Sequence, residues 1–135
     1  RNFVRTVLRL AAERDELRMV ADEIGSPTYA PDVAAATLRL VERPYYGTYH
    51  LVNEGQCSRY ELAAAVLRRA GRGGVALRPI RLAEYRRDSR VPPYTPLRNI
   101  AAADLGIVLR PWEEALADYL DRLPEGRASD GSTLQ

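Results

Sequence analysis

Residues 22–32, with the sequence DEIGSPTYAPD, join an apparent strand to an apparent helix and concentrate the turn chemistry of the chain. Gly25 permits backbone angles that a side chain would forbid, and Pro27 fixes its own φ while holding Ser26 extended. Ser26 and Thr28 add short hydroxyl groups beside backbone N–H groups. The run is typical either of a binding loop or of a plain connection from a strand to a helix.

Helical and strand patterns alternate along the rest of the chain. Apolar residues at helical spacing, with their capping residues, predict helices over residues 3–14, 31–42, 58–70, 99–105 and 111–123. Short strands are predicted over residues 17–20, 47–52 and 75–80, the second of them buried. Ser58 and Glu61 fit a capping box. This order predicts an α/β domain over residues 1–123 with some parallel strand pairing.

Residues 83–99 show no sustained period and contain Pro92, Pro93 and Pro96, which predicts a long surface loop. Structureless loops beyond about a dozen residues are usually functional or disordered, so the arginines and Tyr94 of this loop are of interest. Residues 124–135 are rich in polar residues and glycine and are predicted to form a disordered tail.

The charged residues exclude several kinds of chemistry. All 20 basic residues are arginine, so this segment supplies no Schiff-base lysine, no P-loop lysine and no Tyr-x-x-x-Lys pair. The arginines are interspersed with 18 acidic residues and the formal net charge is only +2. We therefore attribute the arginines to codon usage and predict no nucleic-acid partner.

The remaining residue types argue against a catalytic or metal centre. Cys57 is the only cysteine and His50 the only histidine of the chain. An internal disulfide is therefore excluded, and a Cys/His zinc site is not expected. His50 is expected to be structural, in the middle of a strand. No apolar run approaches the ~20 residues of a membrane span, so a soluble, cytoplasmic protein is expected. Because the chain begins at Arg1 instead of Met, we also expect it to be cut from a longer polypeptide.

Four segments together resemble the C-terminal portion of dTDP-4-dehydrorhamnose reductase, a family of extended short-chain dehydrogenases/reductases. They are residues 2–11 (NFVRTVLRLA), 22–30 (DEIGSPTYA), 49–53 with 58–61 (YHLVN and SRYE) and 109–116 (LRPWEEAL), in collinear order. In that family an N-terminal Rossmann half binds NADPH and carries the Tyr-x-x-x-Lys pair, while the C-terminal half recognises the dTDP-sugar. The resemblance implies that this chain is the small α/β substrate-binding lobe. It also implies that the chain alone is inactive and holds neither the cofactor nor a catalytic residue. Some members of the family use magnesium, but the sequence shows no acidic cluster in which a metal could be placed, so no metal is expected.

The resemblance also implies which residues face the substrate. These are Asn2, Phe3, Gly25, Ser26, Pro27, Thr28, Arg90 and Tyr94. Arg90, with Tyr94 beside it, is expected to bind the diphosphate, because a guanidinium group can donate two parallel hydrogen bonds to phosphate oxygens. Glu23 stands where the family commonly has Gln. An apolar row at Phe3, Val7 and Leu10 is expected to be exposed where the missing half packs.

The implied partners are the dTDP-sugar and the N-terminal Rossmann half of the same polypeptide, and a homodimer is left open. A second hypothesis is a non-catalytic binding subunit, because regulatory subunits of methionine adenosyltransferase resemble the same family. The upstream sequence distinguishes the two, since an intact glycine-rich turn with Tyr-x-x-x-Lys favours the enzyme.

Overall fold

The computed structural model of the chain describes residues 2–86 and 91–123. The helices are α1 (Phe3–Glu13), α2 (Ala30–Val41), α3 (Arg59–Arg69), α4 (Ile100–Asp104) and α5 (Trp112–Asp121), and Leu82–Glu84 forms a 3-10 turn. The strands are β1 (Glu16–Val20), β2 (Ile24–Gly25), β3 (Cys57–Ser58) and β4 (Ala76–Ile80). Arg90 and the predicted tail, residues 124–135, lie outside the described residues. Of the helices just given, none is long and apolar enough to cross a membrane.

Local capping chemistry sets the ends of α1 and α3. Asn2 caps α1, because its Oδ1 accepts a hydrogen bond from the N–H of Arg5 at 3.2 Å. The predicted capping box of α3 is confirmed, since Ser58 Oγ accepts from Glu61 N at 3.0 Å and Glu61 Oε2 accepts from Ser58 N at 2.7 Å. Gly71 follows α3 with φ +66°, as expected of a helix stop.

Two short sheets give the chain its α/β character. β1 and β4 pair in parallel, from Glu16 opposite Ala76 to Val20 opposite Ile80. The chain between these two strands contains α2 and α3, as a parallel crossover requires. β2 and β3 form a short antiparallel pair. The predicted α/β arrangement with parallel pairing is therefore confirmed.

The larger hydrophobic cluster lies among α1, α3, α5 and the sheet of β1 and β4. Val7, Ala63 and Val66 are fully buried there, and Leu17 and Trp112 are nearly so. The predicted helical periods of these segments therefore place one apolar face of each helix in a shared core.

A smaller cluster lies beside the larger one and contains Ala36, Ala102, Ile107 and Leu109. It joins α2 to α4 and to the segment that precedes α5. Side chains from residues 47–52 cover it from one side.

The predicted buried strand at residues 47–52 is wrong. This segment has no strand partner among the described residues, and an asparagine side chain pairs with its backbone instead. Asn99 Oδ1 accepts from the N–H of Val52 at 2.9 Å, and its Nδ2 donates to the Val52 carbonyl at 2.6 Å. His50, predicted to lie inside a strand, is exposed. Asn99 therefore does not cap α4 with its side chain.

The predicted exposure of the Phe3, Val7 and Leu10 row is also wrong. Val7 is fully buried, and Phe3 and Leu10 are partly buried against the larger cluster. The reason is that this row faces α3 across the core. Large apolar side chains are exposed elsewhere, at Leu38, Val41, Tyr45, Tyr46, Tyr85, Tyr94, Leu97, Ile100 and Val108.

Candidate functional site

A cleft of about 720 Å³ opens between the start of α1, the loop of residues 26–29, the start of α3 and one face of α5. Most of the predicted site residues line it, namely Asn2, Phe3, Ser26, Pro27 and Thr28. Four segments that are distant in the sequence therefore meet at one concave surface. Its volume falls within the range of about 300–1,000 Å³ that is usual for small-molecule sites.

Two other predicted site residues, Gly25 and Tyr94, do not line this cleft. Gly25 lines an adjoining cavity of about 250 Å³, which shares Ser26 and Pro27 with the cleft. Tyr94 lines neither cavity, is 63% exposed, and donates a hydrogen bond from its hydroxyl to Gln56 Oε1 at 2.9 Å. Arg90 lies outside the described residues.

Gly25 could adopt backbone angles that only glycine tolerates, but it does not do so. It lies in β2 opposite Cys57, and the glycines with positive φ are found elsewhere, Gly55 (φ +91°) among them. A methyl group built on Gly25 would lie 3.6 Å from Thr95 Oγ1, an ordinary contact. Strand pairing fixes the extended backbone here, and an extended backbone is open to any residue.

The loop of residues 26–29 and the strand β2 before it are held by residues 93–97 of the proline-rich loop, which spans residues 83–99. Ile24 donates its N–H to the carbonyl of Pro93 at 2.8 Å, and Thr95 donates to the carbonyl of Ile24 at 3.0 Å. Ser26 Oγ accepts from the N–H of Leu97 at 3.1 Å. The proline-rich loop therefore supports the cleft loop from behind, a role that the sequence pattern did not reveal.

A charged network anchors the start of α2 to α5. Arg110 donates from Nε to Asp32 Oδ2 at 2.8 Å and from Nη2 to Asp32 Oδ1 at 2.9 Å, and Nη2 also reaches Asp118 Oδ2 at 2.9 Å. Asn53 adds a hydrogen bond from Nδ2 to Asp32 Oδ2 at 2.7 Å. The hydrogen bond from Arg110 lowers the pKa of both carboxyl groups and raises the pKa of the guanidinium. The network therefore keeps all three groups charged.

This network positions one wall of the cleft. Asn53 Oδ1 accepts a hydrogen bond from the N–H of Tyr29 at 2.8 Å, and the Arg110 guanidinium lies 5.7 Å from the centre of the Tyr29 ring. The Tyr29 ring in turn meets Tyr119 edge to face, with ring centres 6.0 Å apart. Asp32 also lies in the first turn of α2, where a carboxylate complements the helix macrodipole. The signal that could have found the network is that Asn53 and Arg110 both lie in the segments that carry the family resemblance.

Glu23 does not place a carboxylate in the cleft. Its side chain is nearly buried, lines the smaller cavity, and lies 3.5 Å from Arg59 Nη2. Arg59 itself lies over the ring of Phe3, 5.3 Å from its centre, at the boundary of the two cavities. The departure from the family residue at position 23 is therefore accommodated by an ion pair.

The described residues offer neither a metal centre nor a reactive thiol. No three His, Cys, Asp or Glu side chains converge within residues 2–86 and 91–123 in a way that could hold a metal ion. Cys57 is 6% exposed, and burial, followed by the charges of Glu61 and Glu113, raises the pKa of its thiol to about 12. A thiol of that pKa is a poor nucleophile at neutral pH.

Comparison with known proteins identifies the family. The model of the family described as RmlD substrate binding domain matches residues 1–124. The spore coat polysaccharide biosynthesis protein SpsK of Bacillus subtilis is 43% identical over 119 residues, which are 88% of this chain and 41% of that protein. A dTDP-4-dehydrorhamnose reductase of Mycolicibacterium smegmatis is 36% identical over 132 residues, or 96% of this chain and 40% of the relative.

Solved structures agree with these relatives. A dTDP-4-dehydrorhamnose reductase from Clostridium acetobutylicum superposes with a TM-score of 0.83 at 35% identity, over 90% of this chain and 43% of that structure. The enzyme from Bacillus anthracis, solved in complex with NADP, gives 0.82 at 34% identity, over 91% and 44%. The chain thus spans about two fifths of the length of these proteins. The resemblance seen in four sequence segments is confirmed, and the chain belongs to the RmlD substrate-binding domain family.

Proposed function

We propose that this chain is the dTDP-sugar-binding part of an NADPH-dependent reductase that converts dTDP-4-dehydro-L-rhamnose to dTDP-L-rhamnose for cell-surface polysaccharide. The observation that carries the proposal is the convergence of Asn2, Phe3 and the loop of residues 26–29 on one cleft. These are the segments that the reductase family places beside its sugar nucleotide. Relatives named as reductases, and one named for polysaccharide biosynthesis, support the same assignment.

The cleft also suits the chemistry of a sugar nucleotide. Its lining combines aromatic rings with amide and hydroxyl groups, as recognition of a base and a sugar requires. Arginines supply the charge of the lining, and no aspartate or glutamate is among the described residues that line it. A diphosphate is therefore favoured over a cationic ligand.

Of the remaining predicted residues, Arg90 is assigned a direct contact with the ligand, whereas Tyr94 and Gly25 have supporting roles. Arg90 is assigned to the diphosphate by family resemblance alone, because it lies outside the described residues. Tyr94 and Gly25 act from behind the cleft loop, where Ile24 bridges to Tyr94 and β2 pairs with β3.

The described residues do not fit a dinucleotide cofactor. Gly71, Gly73 and Gly74 follow α3 instead of a strand. Apart from its chain neighbours, no described residue has an atom within 4 Å of a Cβ built on any of these glycines. A dinucleotide cradle needs the reverse order, a strand and then a glycine-rich turn that opens a helix. We therefore assign NADPH to an N-terminal Rossmann half, and the chain alone is expected to be inactive. A cytoplasmic location remains a prediction, and a homodimer is left open.

The test compares the 135-residue chain with the same chain joined to its upstream sequence. We expect the chain alone to bind dTDP in calorimetry without oxidising NADPH, and the longer protein to oxidise NADPH when dTDP-4-dehydro-L-rhamnose is added. Arg90→Ala in the longer protein should weaken dTDP binding at least about tenfold, the effect of one lost charge-assisted hydrogen bond. Failure of both proteins to bind dTDP would refute the proposal.

The alternative of a regulatory subunit resembling that of methionine adenosyltransferase gains no support. The relatives described above are named as reductases or as a polysaccharide biosynthesis protein.

A further inference from the structure

The positive charge of the cleft is unevenly neutralised. Arg5, Arg59 and Arg122 all line it. Arg59 lies 3.5 Å from Glu23 Oε1, and Arg122 donates from Nε to Asp118 Oδ1 at 2.9 Å. Arg5 has no carboxylate partner among the described residues.

The hydrogen bond that Arg5 does make leaves its terminal nitrogens open. Arg5 Nε donates to the hydroxyl of Tyr119 at 3.1 Å, and neither Nη1 nor Nη2 has a hydrogen-bond partner in the described parts of the chain. Tyr119 is itself held edge to face against Tyr29, whose N–H is bonded to Asn53. The Tyr119 hydroxyl thus orients the guanidinium at the cleft without neutralising its positive charge.

The position of Arg5 in α1 also favours a bound anion. Arg5 lies in the first turn of α1, where the macrodipole favours an anion, and the first turn of α1 contains no acidic residue. A cation at this position is electrostatically unfavourable for the helix on its own. A bound anion would interact favourably with both the guanidinium and the helix terminus.

We propose that Arg5, oriented by Tyr119, binds a phosphate group of the ligand through its two terminal nitrogens. The inference rests on the proposed function for the identity of the ligand, since the nucleotide diphosphate is the anion in question. The residue itself is assigned from the contacts of the cleft and not from the family resemblance.

The experiment measures binding of dTDP, thymidine and inorganic pyrophosphate to the 135-residue chain by calorimetry at fixed ionic strength. Arg5→Ala should weaken dTDP and pyrophosphate binding about ten- to a hundredfold, the loss expected for hydrogen bonds to a charged group, and leave thymidine binding unchanged. Arg9→Ala is the matched control, because Arg9 lies one turn further along α1 and pairs with Glu13 at 3.0 Å. Tyr119→Phe should give a smaller loss for the same two anions, with an unaltered thermal midpoint.

The outcomes separate this inference from the proposed function. If the parent chain binds dTDP and Arg5→Ala binds it as tightly as Arg9→Ala does, the role of Arg5 is refuted while the proposed function stands. If the parent binds pyrophosphate but not dTDP, the nucleotide assignment falls and the Arg5 comparison is decided on pyrophosphate. A parent that binds neither anion overturns both. Equal losses for thymidine and dTDP in Arg5→Ala would show a structural effect and would also refute the phosphate role.

Discussion

The ion pair between Asp32 and Arg110 should be worth several times more than an exposed pair of the same chemistry. We test this with Arg110→Met, Asp32→Asn and the double variant, which together isolate the pairwise free energy from other effects of each substitution. The Asp32 side chain is 16% exposed and that of Arg110 is 34% exposed. Their two hydrogen bonds, at 2.8 and 2.9 Å, form a bidentate contact.

The magnitude lies between two limits. Exposed pairs contribute about 0.2–1 kcal/mol, with i,i+4 helix pairs near 0.3–0.5 kcal/mol, and removing one partner of a buried pair costs about 3–5 kcal/mol. A third of the Arg110 side chain meets solvent, and Asn53 still donates to Asp32 when Arg110 is gone. We therefore expect a coupling free energy of about 2 kcal/mol, after discounting for screening by water. A loss of about 2 kcal/mol in the free energy of unfolding would lower the Tm of a domain of this size by about 8 °C.

The assay is urea unfolding at pH 7 for each variant, followed by fluorescence of the single tryptophan. Arg9 and Glu13 provide the matched cycle, because they also make two contacts at 3.0 Å but their side chains are 51% and 52% exposed. Arg9→Met with Glu13→Gln should show a coupling of at most about 0.5 kcal/mol. Equal couplings in the two cycles would refute the reasoning that burial strengthens the Asp32 pair.

Three further predictions concern acid stability, the thiol and two glycines. The pKa of Asp32 is lower in the folded chain than its ordinary 3.8, so its charged form stabilises the fold above about pH 4 and this contribution is lost as the pH falls through the folded pKa. Acid titration of unfolding should accordingly be shallower for Arg110→Met than for the parent, and identical curves would contradict this. Cys57 should react with a thiol reagent at pH 8 only after urea unfolds the chain, because its pKa is about 12 and it is buried; rapid reaction in the native state would contradict this. Gly55→Ala should lower the free energy of unfolding by about 1–3 kcal/mol, because its φ is +91° and a methyl group would lie 2.9 Å from an indole carbon, whereas Gly25→Ala should change it by less than about 1 kcal/mol. Equal free energies of unfolding for the two variants, measured in urea, would show that a side chain at position 55 does not strain the fold.

Local sequence rules located the helices because their signals are local. The capping box of Ser58 and Glu61 lies within one helical turn. The glycine that ends α3 follows directly after the last turn of that helix. The same rules failed at residues 47–52, where the residue types favour a strand but a strand needs a partner. The partner here is the side chain of Asn99, which lies 47 positions from Val52 and follows no backbone pattern.

The candidate site shows the same division. The residues alone indicated a turn-rich loop and left its role open, and only the resemblance linked Asn2 and Phe3 to that loop. Their meeting at one cleft depends on packing among distant helices. The contact of Asp32 with Arg110 spans 78 positions, so no local pattern could reveal it.

The two hydrophobic clusters give the walls of the cleft unequal resistance to opening. The wall formed by α1, α3 and α5 belongs to the larger cluster, while the loop of residues 26–29 leads into α2, which packs on the smaller one. A unit with less buried apolar surface opens locally at a lower free energy, and hydrogen exchange reports such openings. We therefore expect amide hydrogens of α2 to exchange faster than those of α3. A ligand that contacts both walls should slow the exchange of α2, because α2 can then open only when those contacts are lost.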